Sequence, residues 1–407
     1  MQKFRKAVAV ALTAMAIAGF TALPAMASED EAICVSLRIE GVEETIYYNN
    51  QIEMPAGSSI ADLVAAINDM DDAPDIEYDS SWYIQKIGDL AEHDYGGWSG
   101  WSFRLNDGEL TSGINENFLA NGDEVVCYYG DPWGEPGMQY PIIDISRLFT
   151  DSVILFTSID VEYDDDWTPQ LSENPVEGAR VVVKGATFMT DENGAITIAD
   201  KTGISGFCSV QIDRFDDETG VPTVLRFAPD FEIYVPFADM LDDPWYEDAV
   251  VFCVREWSYS GENLAENLFA PMRKMNMAEL ITVLARIVGV YDSAATEPWY
   301  ETTYEWALES GIIIEEEFDA LSFVTKEKFV HMFYLVVALT GDYDMTEAAD
   351  ITGAIDYSDI GAEYLEAISW AVASGIVRGV GDDELIIDPQ EEFTRAMVCQ
   401  FLYNFYA

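Results

Sequence analysis

The 407-residue chain sets 75 Asp and Glu against 20 Lys and Arg, a net charge of −55, yet 49% of it is hydrophobic and 13% aromatic. That balance excludes a disordered acidic tail, because there is ample apolar matter to bury. It also argues against a binder of nucleic acid or anionic lipid, since such partners are drawn to basic surfaces, and the length leaves room for two to four domains.

The first predicted element is a leader. Lys3, Arg5 and Lys6 precede an apolar run over residues 7–23, and Ala25-Met26-Ala27 places small residues where a signal peptidase reads. This is the layout of a secretory signal peptide at 1–27. Cleavage after Ala27 would remove three basic residues and no acidic one, leaving 380 residues with a net charge of −58. No later apolar stretch reaches the ~18 residues of a membrane span, and no LPxTG-type sorting motif stands at the C-terminus. The exported chain is therefore expected to be free or held by binding, with no insertion into the membrane after cleavage.

Region 28–137 reads as α+β. Ile33, Val35, Leu37 and Ile39 alternate with Cys34, Ser36, Arg38 and Glu40, the pattern of a half-buried strand. Glu40-Gly41 turns into a second strand at 45–48. Ser58-Ser59 then opens a helix with Ile60, Leu63, Val64 and Ile67 on one face. Strand-like segments return at 82–87, 101–105 and 124–129, which suggests a β-grasp-like fold. Cys34 and Cys127 fall in its first and last strands and are candidates for a disulfide in an exported protein. Cys208, Cys253 and Cys399 sit among apolar neighbours and read as buried thiols.

The strings Gly97-Trp98-Ser99-Gly100-Trp101-Ser102-Phe103-Arg104-Leu105-Asn106 and Asn121-Gly122-Asp123-Glu124-Val125-Val126-Cys127-Tyr128-Tyr129 together resemble the transcobalamin-type C-terminal domain family. In the vitamin carriers of that family the domain forms one lid of a cobalamin site; no second carrier domain is visible here. Trp98, Trp101, Tyr128 and Tyr129 are candidates for a platform on which a sugar or a flat, cobalamin-like ligand stacks. The alternative is that they pack the sheet and its turn.

Region 138–235 is strand-rich, with β-like runs at 153–158, 179–184, 195–198, 207–212 and 231–235, and a turn signal at Asp191-Glu192-Asn193-Gly194. Pro175-Val176-Glu177-Gly178-Ala179-Arg180-Val181-Val182-Val183 followed by that turn resembles the opening of prealbumin-like or carboxypeptidase-regulatory-like modules. This implies an Ig-like or prealbumin-like all-β sandwich. Asp160, Glu162, Asp164, Asp165 and Asp166 cluster within it. Such carboxylates suit calcium, but the EF-hand pattern is lacking, so no metal site is assigned.

Region 236–407 repeats itself. Trp306-Ala307-Leu308-Glu309-Ser310-Gly311-Ile312 returns 64 residues later as Trp370-Ala371-Val372-Ala373-Ser374-Gly375-Ile376, and Asp243-Pro244-Trp245-Tyr246 returns as Glu297-Pro298-Trp299-Tyr300. Two amphipathic helices fit each unit, one with Ala249, Val250, Cys253 and Val254 on its face, another with Leu280, Leu284, Ile287 and Val288 behind an Asn276…Glu279 cap. Units of this size cannot bury their faces alone.

These residues resemble three tandem S-layer homology repeats, at about 236–290, 291–350 and 351–407. The markers are Phe237-x-Asp239, Phe269-x-Pro271 and Asn276-Met277-Ala278-Glu279 in the first unit, Trp299, Trp306-Ala307 and Thr325-Lys326 in the second, and Tyr357-x-Asp359, Trp370-Ala371, Asp388-Pro389 and Thr394-Arg395-Ala396 in the third. The resemblance implies an all-α, three-pronged bundle whose grooves bind secondary cell-wall polysaccharide, often pyruvylated, at the wall or S-layer of a Gram-positive-type bacterium; self-association into a lattice is a further expectation. It assigns the acidic sugar to Arg395, with Thr394, and to Lys326; Trp245, Trp299 and Trp370 would cover sugar faces. Met277 stands where the first unit should carry Arg, and the second unit lacks the opening Phe-x-Asp and the Phe-x-Pro. Asp239 and Asp359 are expected to cap helices.

Nothing points to catalysis. His93 and His331 are the only histidines, neither in a zinc-like spacing nor in a nucleophile motif, and no phosphate-binding glycine loop is present. No cofactor is implied. The expectation is a multidomain binding protein held at the cell surface, the alternative being a wall-attached receptor for a small ligand.

Overall fold

A computed structural model describes residues 32–106, 108–134, 137–163, 169–240, 244–262, 265–290, 298–341, 343–377 and 385–407. The leader lies outside these residues. So do Asp164, Asp165 and Asp166 of the acidic cluster.

Alternation in the first strand is realised as expected: Val35, Leu37 and Ile39 are each 1% exposed. That strand, β1 (Ala32–Glu40), forms a hairpin with β2 (Thr45–Pro55). Helix α1 (Ile60–Asn68) follows, opened by a capping box in which Ser59 accepts from the Asp62 amide and Asp62 accepts from the Ser59 amide. Its buried Ile60, Leu63, Val64 and Ile67 join the core that β1 lines. A small sheet of β3 (Ile76–Tyr78), β4 (Ile84–Ile87) and β5 (Leu90–Ala91) precedes β6 (Gly100–Leu105), β7 (Gly108–Glu109) and β8 (Glu124–Gly130). The main sheet has the order β2-β1-β8-β6-β7, with β1 and β8 parallel and side by side.

That register removes the proposed disulfide. Ile39 stands opposite Cys127, so Cys34 lies five residues back along β1, roughly 16 Å away at ~3.3 Å per residue. A disulfide needs Cα atoms within about 7 Å. All five cysteines are free thiols.

The next segment supplies β9 (Pro141–Asp144), a single helical turn α2 (Leu148–Asp151), β10 (Val153–Tyr163), β11 (Pro169–Pro175), β12 (Arg180–Val183), β13 (Ala186–Met189), β14 (Ala195–Thr197), β15 (Gly206–Asp213) and β16 (Glu232–Val235). Two four-stranded sheets result: β11-β10-β14 with β9 on β10, and β13-β12-β15-β16. The Asp191 turn forms as its composition demands. The Asp191 carboxylate accepts from the Asn193 and Ala195 amides, each at 2.9 Å, which holds its pKa below the ordinary value. Gly194 is obligatory there, because at φ 71° a Cβ would fall 2.2 Å from the Phe156 carbonyl oxygen.

Compactness divides the chain in two. Of the described residues, one unit holds those within 1–200 and 208–233, the other those within 201–207 and 234–407. The α+β and strand-rich regions, expected as separate domains, thus belong to one unit. Arg226 shows why. It donates to the Glu40 carboxylate (2.9 Å) and to the carbonyls of Val42 (2.7 Å), Gly41 (2.6 Å) and Glu44 (2.9 Å). Arg38 closes the knot on Glu40 and on the Arg226 carbonyl.

The second unit is helical: α3 (Glu247–Trp257), α4 (Met277–Ile287), α5 (Glu301–Glu309), α6 (Lys326–Thr340), α7 (Leu365–Ala373) and α8 (Arg395–Tyr406). The helices pair across repeat boundaries, α4 with α5, α6 with α7 and α8 back on α3. Three short segments ahead of α4, α6 and α8 form a closed ring. The Met275 amide donates to Phe393 O (2.9 Å), Phe393 to Val324 O (2.8 Å), and Val324 to Met275 O (3.1 Å). The first amides of the three helices repeat the cycle: Met277 to Ser322 O, Lys326 to Glu391 O and Arg395 to Arg273 O. Three sequence repeats have become three quasi-equivalent lobes around one hub, over a continuous core that includes the fully buried Phe269, Phe329 and Phe333.

Candidate functional site

The ring makes Met277, Lys326 and Arg395 structural equivalents, each the first residue of its helix. The two basic members do the same work. Arg395 Nε donates to Phe269 O at 2.9 Å, and Lys326 Nζ donates to the corresponding Ile387 O, also at 2.9 Å. Arg395 Nη2 adds Ser260 O at 2.8 Å, and its guanidinium lies 4.5 and 4.7 Å from the ring centroids of Tyr259 and Phe269. Glu279 stands 3.9 Å away and Glu391 pairs with Lys326 at 2.9 Å. Arg395 is 4% exposed, and the Lys326 side chain 11%. These groups satisfy main-chain carbonyls between repeats and do not stand open as anion grips, which corrects the expectation for both. Met277 fills the third position as a buried apolar side chain.

Thr394 caps α8 by accepting from the Met397 amide. The hydroxyl of its equivalent, Thr325, is buried without a hydrogen-bond partner among the described residues. Asp239 accepts from the amides of Phe269 (2.9 Å) and Ala270 (2.8 Å) and so pins a loop instead of capping a helix. Its counterpart is Asp356, which accepts from Ile387 (3.0 Å) and Asp388 (2.6 Å); Asp359 does not take that part. Ala270 and Asp388, both left-handed at φ 58° and 53°, confirm the correspondence. The second unit lacks the Phe-x-Pro, as expected: Ala320 O accepts from Ala278 as Pro271 O does from Ala396, so Phe318-Asp319-Ala320 stands where the first unit has Phe269-Ala270-Pro271.

Of the three tryptophans assigned to sugar contact, Trp370 is buried at 2%. Trp245 and Trp299 are 63% and 52% exposed. They occupy matching places, each just before the tyrosine that precedes α3 or α5, and each packs edge-on against that tyrosine (5.1 Å and 82°; 5.4 Å and 88°).

The aromatic platform of the first unit does not assemble. Trp101 lies directly opposite Tyr129 across β6 and β8, and the two rings pack at 5.2 Å inside the core. Tyr128, one residue back, faces the other side of the sheet, where its hydroxyl meets that of Tyr140. Only Trp98 is exposed, at 68%. Trp133, 77% exposed, was missed in the sequence. The amides of both tryptophans donate to the Asp131 carboxylate, at 3.4 and 2.9 Å. Nearby, the Tyr83 hydroxyl donates to Glu92, which together with burial pushes its pKa up to about 12.

Among the described residues no His, Cys, Asp and Glu group is arranged to hold a metal, and no helix is long and apolar enough to cross a membrane.

A family described as a domain of unknown function (DUF4430) matches residues 57–131, the stretch from just ahead of α1 to just past β8. No curated protein matches the chain. Among solved structures it is similar to haptocorrin in complex with Cbi, at 20% identity and a TM-score of 0.22 over 26% of this chain. The match spans 26% of the haptocorrin chain, about a quarter of its length.

Proposed function

We propose that this is an exported, non-enzymatic binding protein. Its helical repeats hold it non-covalently to secondary cell-wall polysaccharide, in the manner of S-layer homology repeats, and its β-grasp-like and sandwich-like segments face outward. The observation that carries this reading is the closed three-membered ring of repeats, a rigid array presenting the same surface feature more than once. That feature is the exposed indole at Trp245 and Trp299. An aromatic face covers the apolar face of a sugar, and two such faces on one rigid body bind a repeating polymer with avidity.

Arg395 and Lys326 are committed to the hub, so the sugar contact is assigned to the tryptophans. Without the leader a net charge of −58 repels an anionic polymer, and screening over ~8–10 Å at physiological salt limits that repulsion to short range. The full chain lacking residues 1–27, mixed with purified walls, is expected to sediment with them equally well or better as salt rises. The variant Trp245→Ala/Trp299→Ala is expected to stay in the supernatant. A double variant that sediments like the parent, or binding that fades steadily with salt, would remove this reading. Trp98 and Trp133, tied to one carboxylate, favour a second role in which the first unit captures a flat or saccharide ligand by stacking.

A further inference from the structure

Helix α3 ends differently from its two counterparts. Helices α3, α5 and α7 all begin one residue after a tyrosine, Tyr246, Tyr300 or Tyr364. In that alignment Phe252 matches Trp306 and Trp370, while Glu256-Trp257 stands where the other units carry Ser310-Gly311 and Ser374-Gly375. Those glycines stop their helices at φ 70° and 72°. Helix α3 instead runs on through Trp257 and turns left-handed at Ser258, φ 52°. The amide that returns to the helix comes one residue late: Tyr259 to Cys253 O, against Ile312 to Ala307 O and Ile376 to Ala371 O. A helix stop shared by two repeats has been exchanged in the third for an inserted residue, a carboxylate and an indole.

The exchanged residues line a cleft of about 470 Å³ together with Phe252, Ile287, Thr340, Tyr343 and Tyr406. This volume falls in the range of small-ligand sites. Its four rings stand nearly square to their neighbours: Phe252 to Trp257 at 87°, Trp257 to Tyr406 at 68°, Tyr406 to Tyr343 at 84°, with centroids 5.3–6.3 Å apart. Trp257, Ile287, Thr340 and Tyr406 are the last residues of α3, α4, α6 and α8, so four helices bring their C-terminal ends here. Each such end carries partial negative charge. Among the described residues the one charged side chain of the lining, Glu256, is also negative. Of the neighbouring bases, Arg286 donates to Ser258 O and Arg255 lies over Phe207; neither lines the cleft. The Tyr406 hydroxyl is buried without a hydrogen-bond partner among the described residues, whereas the Thr340 hydroxyl donates to Val337 O.

We propose that this cleft binds an organic cation with a methylated ammonium head. Aromatic faces attract such a head through their quadrupoles, and the carboxylate and helix ends add charge of the right sign. An anion meets repulsion on every side. A neutral sugar finds few free polar partners, since the Tyr406 hydroxyl is buried and the Thr340 hydroxyl is engaged with Val337 O. The proposal is independent of wall attachment.

The test is calorimetric titration of the full chain with choline and with 3,3-dimethyl-1-butanol, its neutral isostere. Choline is expected to bind saturably and at least about tenfold more tightly than the isostere, the scale of a desolvated cation–π contact. Glu256→Gln is expected to weaken choline several-fold and leave the isostere unchanged. Tyr343→Ala removes a partly exposed ring (41% accessible) that packs on Phe405 and Tyr406 at the edge of the core, and it leaves the net charge unchanged. Its melting temperature is expected to stay put while choline affinity drops, which separates the cage from general attraction to an acidic protein. Equal affinity for the two probes, no saturable binding of choline, or unchanged affinity in Tyr343→Ala would each overturn the proposal.

Discussion

A guanidinium that is 4% exposed must have its donors occupied from within, and Arg395 meets this with two carbonyls, two ring faces and the Glu279 carboxylate. Removing a buried, partnered charge typically costs about 3–5 kcal/mol. Arg395→Ala is therefore expected to lower the urea stability of the helical unit by that order, while Arg395→Met, which restores the apolar stem, recovers part of it. Under conditions where both remain folded, both are expected to sediment with walls like the parent. Loss of sedimentation in folded Arg395→Met would return the residue to the sugar contact. Its type and position were legible in the repeat, but its exposure was not, because its partners Phe269 O and Ser260 O are main-chain atoms that no residue pattern displays. Tyr128 and Tyr129 differ. Adjacent residues of a strand point to opposite faces, so their separation was readable and the joint platform was an error of reading.

The elements themselves follow the sequence closely where a local rule governs them. Period-two alternation gave β1, and the Ser59 and Asn276 boxes gave α1 and α4. Asp239 and Asp359 read as helix caps, yet the clamp on the loop is made by Asp239 and Asp356, because its contacts are to amides some thirty residues away. Burial works against the charge of Asp356, but the Ile387 and Asp388 amides outweigh it and draw the pKa below the ordinary carboxylate value. The folded state thus binds that proton less readily than the unfolded one. The resulting stability is present above about pH 4, the unfolded value, and is lost as the pH falls through the lower folded value. Asp356→Asn is expected to cost about 1 kcal/mol at neutral pH, the scale of a lost cap reduced by partial exposure. Its stability should then fall less steeply than the parent's under acid, as urea midpoints between neutral and acid pH would show. Parallel slopes would refute the clamp.

For the helical unit as a whole, the repeats were countable in the sequence but their pairing was not. Units that share one pattern do not say whether a helix packs on its own partner or on the next unit's, and the structure chooses the next. The seam between α3 and α8 holds Cys253, whose pKa is raised far above the thiol range by the Cys399 thiol beside it and by burial. In the native chain Cys253 is expected to resist alkylation and to react only at the rate of cooperative unfolding of the helical unit. Peptide mapping after timed iodoacetamide exposure measures this. Labelling at the rate of an open thiol would show that α3 and α8 part independently of the rest.

A linear stack of repeats has two loose faces to cap and tolerates one repeat more or fewer. A circle made by lending each helix to the next neighbour tolerates neither. Losing a unit would leave a borrowed helix with no lender, and gaining one would widen the hub beyond the reach of its three main-chain links. Recombination between the matching Trp-Ala stretches of this chain, which readily shortens or lengthens open arrays, would here yield products that cannot close, so the arrangement keeps its own count at three.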